Sequence, residues 1–154
     1  MKPASFEHVA VGSLEEARSA LTRGGADAKI LAGGQSLVPM LNLRLARPAL
    51  LVDINPAREL AYVREDAGTV AIGATTRQRA VERWAASRLP LLAEALRWVG
   101  HAAIRNRGTV VGSLVHADPA SELPAMLVCL DGVVVVDGPG GRREIRAPDL
   151  YQGP

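Results

Sequence analysis

The 154-residue chain is poor in the side chains that many functions need: five aromatics, three histidines and one cysteine. A lone cysteine, Cys129, cannot form an internal disulfide, and its apolar surroundings (126–130) suggest core, not a reactive thiol, so a reducing, cytoplasmic setting is expected. His8, His101, His116 and Cys129 show no metal-ligand spacing, which argues against zinc or an iron–sulfur cluster held by this chain. No apolar run approaches the roughly 18 residues of a membrane span, and the first residues lack the apolar stretch of a secretion signal. There is no G-x-G-x-x-G fingerprint and no Walker A run. Gly34-Gln35-Ser36-Leu37-Val38 is half a nucleophile elbow, with Val38 where the closing glycine belongs. The net charge is only +2, with sixteen acids interleaved among the basic residues, so neither a phosphate-tracking stripe nor an aromatic single-strand platform is visible. Nucleic acid is not an expected partner, and Arg105 and Arg107 by themselves suggest a solvated face.

What is present is glycine, fifteen residues of it, placed at strand-to-helix turns. Ser13-Leu14-Glu15-Glu16 is a capping box opening an amphipathic helix that stops at Gly24-Gly25. A short strand over 28–31 runs into Gly33-Gly34, after which a helix begins at Ser36, and 50–54 reads as a second strand parallel to the first. Hairpins are expected around 60–73 and 133–145, with helices over 76–86, 89–99 and 121–130. A charged loop over 101–107 should link the second of these helices to Gly108. The pattern predicts an α+β fold with a βα lobe over residues 1–55 and a mixed hairpin and helix lobe over 56–154.

Ala32-Gly33-Gly34-Gln35-Ser36 is the most informative segment. Paired glycines allow positive φ and close approach, and the following amides would point outward at a helix start, where partial positive charge favours an anion such as a pyrophosphate. The plainer reading is a tight turn capped by Ser36. Thr109-Val110-Val111-Gly112-Ser113 repeats the chemistry, and two such segments could hold one diphosphate from two sides. Glu122 opens a helix, where a carboxylate suits the dipole; the alternative is a hydrogen bond to a ribose hydroxyl.

These segments, taken in order with Ile104-Arg105-Asn106-Arg107-Gly108 and Ala117-Asp118-Pro119-Ala120-Ser121-Glu122-Leu123-Pro124, resemble the FAD-binding medium subunit of molybdenum hydroxylases, the group of the carbon monoxide and xanthine dehydrogenases. The resemblance implies a two-lobed FAD domain of the vanillyl-alcohol-oxidase (PCMH) type. It implies that 32–36 and 109–113 hold the pyrophosphate, that Glu122 contacts the sugar region, and that Val99 lies beside the isoalloxazine. It implies two partners, a large subunit with a molybdenum cofactor and a small iron–sulfur subunit, with electrons leaving FAD for an external acceptor and no catalytic acid, base or nucleophile in this chain. Family members continue beyond Pro154, so the expectation is a chain that stops before the C-terminal domain. Val111 stands where the family's second loop usually has the first of two glycines. A β-branched residue resists positive φ, so weakened FAD binding is expected, and a non-catalytic remnant or assembly module is the alternative function.

Overall fold

The computed structural model describes residues 2–151. Three parallel strands open the chain: β1 (Glu7–Ala10), β2 (Ala28–Leu31) and β3 (Leu50–Asp53), in spatial order β1-β3-β2. Helix α1 (Leu14–Gly24) crosses from β1 to β2, and the short α2 (Leu37–Asn42) crosses from β2 to β3. The parallel pairing of β2 with β3 is the one the sequence predicts; β1 is not predicted. Its burial is slight, with only Val9 half-buried, so no apolar alternation marks it. Central β3 has the opposite character: Leu50, Leu51 and Val52 are all buried, as a strand covered on both faces requires.

Ser13 caps α1 by accepting from the Glu16 amide at 3.1 Å. Glu16 reaches back one residue further than a capping box predicts, accepting from the Gly12 amide at 2.7 Å. Ala17 and Ala20 carry the buried face of α1 onto a core made with Val11, Ala28, Leu50, Val52 and Ile54.

The second half contains the hairpin β4–β5 (Val63–Asp66, Thr69–Ile72), five helices and the hairpin β6–β7 (Val133–Gly138, Gly141–Arg146). The first hairpin turns through Ala67 and Gly68, both at positive φ, as a two-residue turn with the right twist demands. The helices are α3 (Gln78–Ala85), α4 (Pro90–Trp98), α5 (Ala102–Arg107), α6 (Val110–His116) and α7 (Glu122–Cys129); a last turn, α8 (Ala147–Leu150), follows β7. Val81, Leu96 and Leu123, each at most 1% exposed, centre a second core with Val110, Leu114 and Val134. Burial of each such side chain contributes about 2 kcal/mol.

Two sequence expectations fail here for physical reasons. Residues 102–107 form a helix, not a charged loop, because Arg105 is buried among polar partners and does not face solvent. Cys129 is exposed at the end of α7, whose inward face is carried by Leu123 and Met126. The halves are tied away from the sheet by Arg18 of α1, which pairs with Asp137 at 3.2 Å, and by Glu59, which accepts from the Leu14 amide at 2.6 Å. Among the described residues no helix is long and apolar enough to cross a membrane.

Candidate functional site

The carboxyl ends of β2 and β3 lie side by side, with Leu31 in register with Asp53. Each strand runs into a turn at this edge, the usual location for ligands in parallel sheets. After β2, Gly34 takes φ +71° and the Gln35 side chain folds back, its Nε2 donating to the Gly33 carbonyl at 3.0 Å. Ser36 precedes α2, but its side chain makes no capping hydrogen bond, so the plainer reading of this serine does not describe it.

Gly33 explains itself by what lies against it. A Cβ there would stand 2.7 Å from the Arg107 carbonyl oxygen and the Gly108 Cα, and 2.9 Å from the Thr109 nitrogen. These are backbone atoms that no rotamer change can move. The two glycine segments, about 75 residues apart in the chain, are thus packed backbone to backbone.

The second segment is a helix start, not an irregular loop. Thr109, 3% exposed, caps α6, its hydroxyl accepting from the Gly112 amide at 3.1 Å while its carbonyl accepts from Ser113. Val110 and Leu114 anchor the helix in the second core. Val111 is half-buried in the first turn and is absent from the residues at positive φ. The expected clash of a β-branched residue with left-handed backbone therefore does not arise. Among the described residues, the backbone amides of Gly34, Gln35, Ser36 and Val111 donate to no protein acceptor, whereas the Val110 amide faces the Thr76 carbonyl across the bridge between Arg77 and Thr109. These free donors lie on the two segments that Gly33 packs together.

Glu122 is linked to the second segment only through its neighbour. It follows Ser121, whose hydroxyl meets that of Ser113 at 3.1 Å, so the first turn of α7 is fastened to the first turns of α6. Val99 is placed differently, at the C-terminal end of α4, half-buried against the second core, with its carbonyl accepting from Arg105 at 3.1 Å.

Several residues that carry the geometry have no sequence signature. Asn55 lies in an Asx-turn after β3, its amide and side chain both donating to Asp53 Oδ1, and its Nδ2 donates to the Ala32 carbonyl at 2.9 Å. Arg77, at the start of α3, donates to Asn55 Oδ1 and to the Arg107 carbonyl, each at 2.6 Å. Burial and the neighbouring Arg107 charge hold the Arg77 guanidinium below its ordinary pKa, with Asp53 offsetting part of the effect. Gln78 donates its backbone amide to the Gly108 carbonyl at 2.8 Å. The Asp53-x-Asn55 spacing is the one clue a sequence reader could have used.

Arg105 works one layer further back. It pairs with Glu82 of α3 at 3.0 Å and donates to the carbonyls of Arg97, Val99 and Gly100 at the end of α4. Burial alone would push the Glu82 carboxyl up, but hydrogen bonds from Arg79 and Arg105, and then their charges, hold it below the usual value.

A family described as "FAD binding domain in molybdopterin dehydrogenase" matches residues 4–154. The chain is 50% identical over 152 residues to the 6-hydroxypseudooxynicotine dehydrogenase complex subunit alpha of Paenarthrobacter nicotinovorans, covering 97% of this chain and 51% of that protein. It is 42% identical to the carbon monoxide dehydrogenase medium chain of Hydrogenophaga pseudoflava, over 99% of this chain and 54% of that one. Among solved structures, quinoline 2-oxidoreductase from Pseudomonas putida 86 superimposes with a TM-score of 0.94 at 37% identity, covering 99% of this chain and 54% of the other. The chain spans about half the length of the relatives it matches. With the family match running through nearly every residue, the chain belongs to the FAD-binding domains of the molybdopterin dehydrogenases.

Proposed function

We propose that this chain is the FAD-carrying part of a molybdenum hydroxylase and that residues 32–36 and 109–113 grip the cofactor's pyrophosphate from two sides. The observation that carries this reading is the contact of Gly33 with Gly108 and Thr109, which packs the turn bearing the unpaired amides of Gly34, Gln35 and Ser36 against the segment bearing that of Val111. The donor chemistry fits a diphosphate: backbone N–H groups at two helix starts, the Ser36 and Ser113 hydroxyls, and two guanidinium groups nearby at Arg77 and Arg107. Glu122, in the first turn of α7, would accept from a ribose hydroxyl, and Val99 would offer an apolar contact to the isoalloxazine.

Bound FAD supplies redox chemistry, taking up two electrons and handing them to an acceptor. The role of the protein in this reading is to bind and orient. Thr109 spends its hydroxyl on the Gly112 amide, which leaves the Val111 amide for the ligand. Ser113 holds α7 at the cleft through Ser121. No general base or nucleophile is needed, because the reacting atoms belong to the cofactor.

The names of the relatives, a complex subunit alpha and a medium chain, support membership in a multi-subunit dehydrogenase. In this reading the partners are a molybdenum-cofactor large subunit and an iron–sulfur small subunit, and an external acceptor takes the electrons. One cysteine in 154 residues supports a reducing, cytoplasmic setting.

Titration of FAD fluorescence with the purified chain tests the reading. Saturable quenching is expected, and Thr109→Ala should weaken it by about tenfold through loss of the cap, with about 1 kcal/mol of stability lost as well. A flat titration with the folded wild-type chain would favour the assembly-module alternative.

A further inference from the structure

Both glycine segments are fastened to one side chain that belongs to neither. Arg77 donates through Nη1 to the Arg107 carbonyl, immediately before Gly108, and through Nη2 to Asn55 Oδ1. Asn55 passes the connection on by donating to the Ala32 carbonyl, the residue immediately before Gly33. The Asx-turn on Asp53 Oδ1 fixes the Asn55 amide so that its oxygen faces Arg77 while its nitrogen faces Ala32. At its other end Arg77 is paired by its backbone with Thr109, and Gln78 donates to the Gly108 carbonyl.

We propose that Arg77 is a positioning residue, a strut that acts through Asn55 and the Arg107 carbonyl to fix the spacing of the two turns. Ligand affinity depends on that spacing, because each turn contributes donors that must meet the same diphosphate. The planar fork of a guanidinium suits the task, since its two terminal nitrogens reach separate acceptors in one plane, which a lysine ammonium cannot reproduce at both. The strut rests on the reading of 32–36 and 109–113 as one anion grip, but its mechanical part can be measured without any ligand.

Amide hydrogen exchange on the ligand-free chain is the primary test. The relevant reporters are the hydrogen-bonded amides of Val38 and Met40 behind the first turn, and of Gly108, Gly112 and Ser113 around the second. In Arg77→Met both groups should exchange at least about tenfold faster while the amides of β3 keep their wild-type rates. FAD affinity, read by fluorescence quenching, should fall by about tenfold. Asn55→Ala should reproduce both effects, and the double variant should be no weaker than either single one, because the two residues form one chain of bonds. A purely structural contribution elsewhere would give effects that multiply.

Wild-type exchange at either turn in Arg77→Met overturns the proposal, as do independent, multiplying effects of Arg77 and Asn55. Should Arg77→Met not fold, Arg77→Lys retains the charge and the stem but not the fork. Accelerated exchange at both turns is expected there too, and wild-type rates would sink the strut. Failure of the wild-type chain to bind FAD would instead remove the functional reading, leaving the exchange experiment to decide the strut on its own.

Discussion

Two arginines hold the second half of this molecule in shape, and they are satisfied in opposite ways. Arg105 meets a carboxylate, Glu82, and three carbonyls at the end of α4, where the helix dipole also favours a cation. Arg77 meets only neutral acceptors, and burial first, then the Arg107 charge, lowers its pKa, with Asp53 offsetting part of the effect. Arg105 joins α3, α4 and α5 within one core, with its carboxylate partner in direct contact. Arg77 lies where the two halves meet at the edge of the sheet, beside the segments proposed to hold a diphosphate. The contrast separates a residue that maintains the fold from one that shapes the cleft.

Breaking the first arginine should produce the larger effect. Arg105→Met leaves the Glu82 carboxylate, only 12% exposed, with Arg79 as its remaining ion-pair partner and removes the donor to three carbonyls at the end of α4; it should cost about 2 kcal/mol, read as a fall in Tm of several degrees. Because the Glu82 pKa is lowered in the folded state, its contribution is complete above the unfolded value near 4.5 and disappears as pH falls through the lower folded value. The Tm difference between wild type and Glu82→Gln should therefore be largest near neutrality and shrink in acid. A difference that grows in acid would reverse the sign of this argument.

Gly33→Ala should come next in stability and first in binding. The added methyl lies 2.7 Å from backbone atoms of residues 107 and 108, so the two turns must separate. A loss of about 2 kcal/mol and a FAD affinity reduced by about a hundredfold are expected from calorimetry and fluorescence titration. Unchanged affinity would mean that the two turns do not share a ligand. The smallest effect belongs to Val111→Gly. With Val111 in a helical turn, glycine should cost a few tenths of a kcal/mol and change FAD affinity by less than about threefold. A large gain in affinity would restore the view that valine crowds the site.

The first glycine turn and the helices α1 to α4 were readable because their signals are local. Gly33-Gly34 after an apolar strand and the apolar faces of α1, α3 and α4 all lie within a few residues of the feature they specify. Helix α6 was not read, because its glycine and small hydroxyl residues resemble a loop until Thr109 is seen to cap Gly112. Residues whose roles depend on distant partners were not readable. Arg77 looks like any surface arginine until Asn55 and Arg107 are brought beside it. Arg105 sits in a run of charge that suggests solvent, and only the approach of Glu82 from α3 makes its burial tolerable. Strand β1 was hidden for a related reason: Glu7, His8 and Ala10 are exposed, so pairing with β3, and not side-chain burial, defines it.

That edge strand also bears on the order in which the chain acquires its shape. β2 and β3 pair across a connection of about twenty residues, whereas β1 reaches β3 only across about forty, and longer closures cost more entropy and form more slowly. β3 is the strand both neighbours need, yet it is synthesised last of the three. Of these three strands the first synthesised should therefore be the last seated, and until then one side of Val52, the most buried residue of the sheet, would have no neighbouring strand.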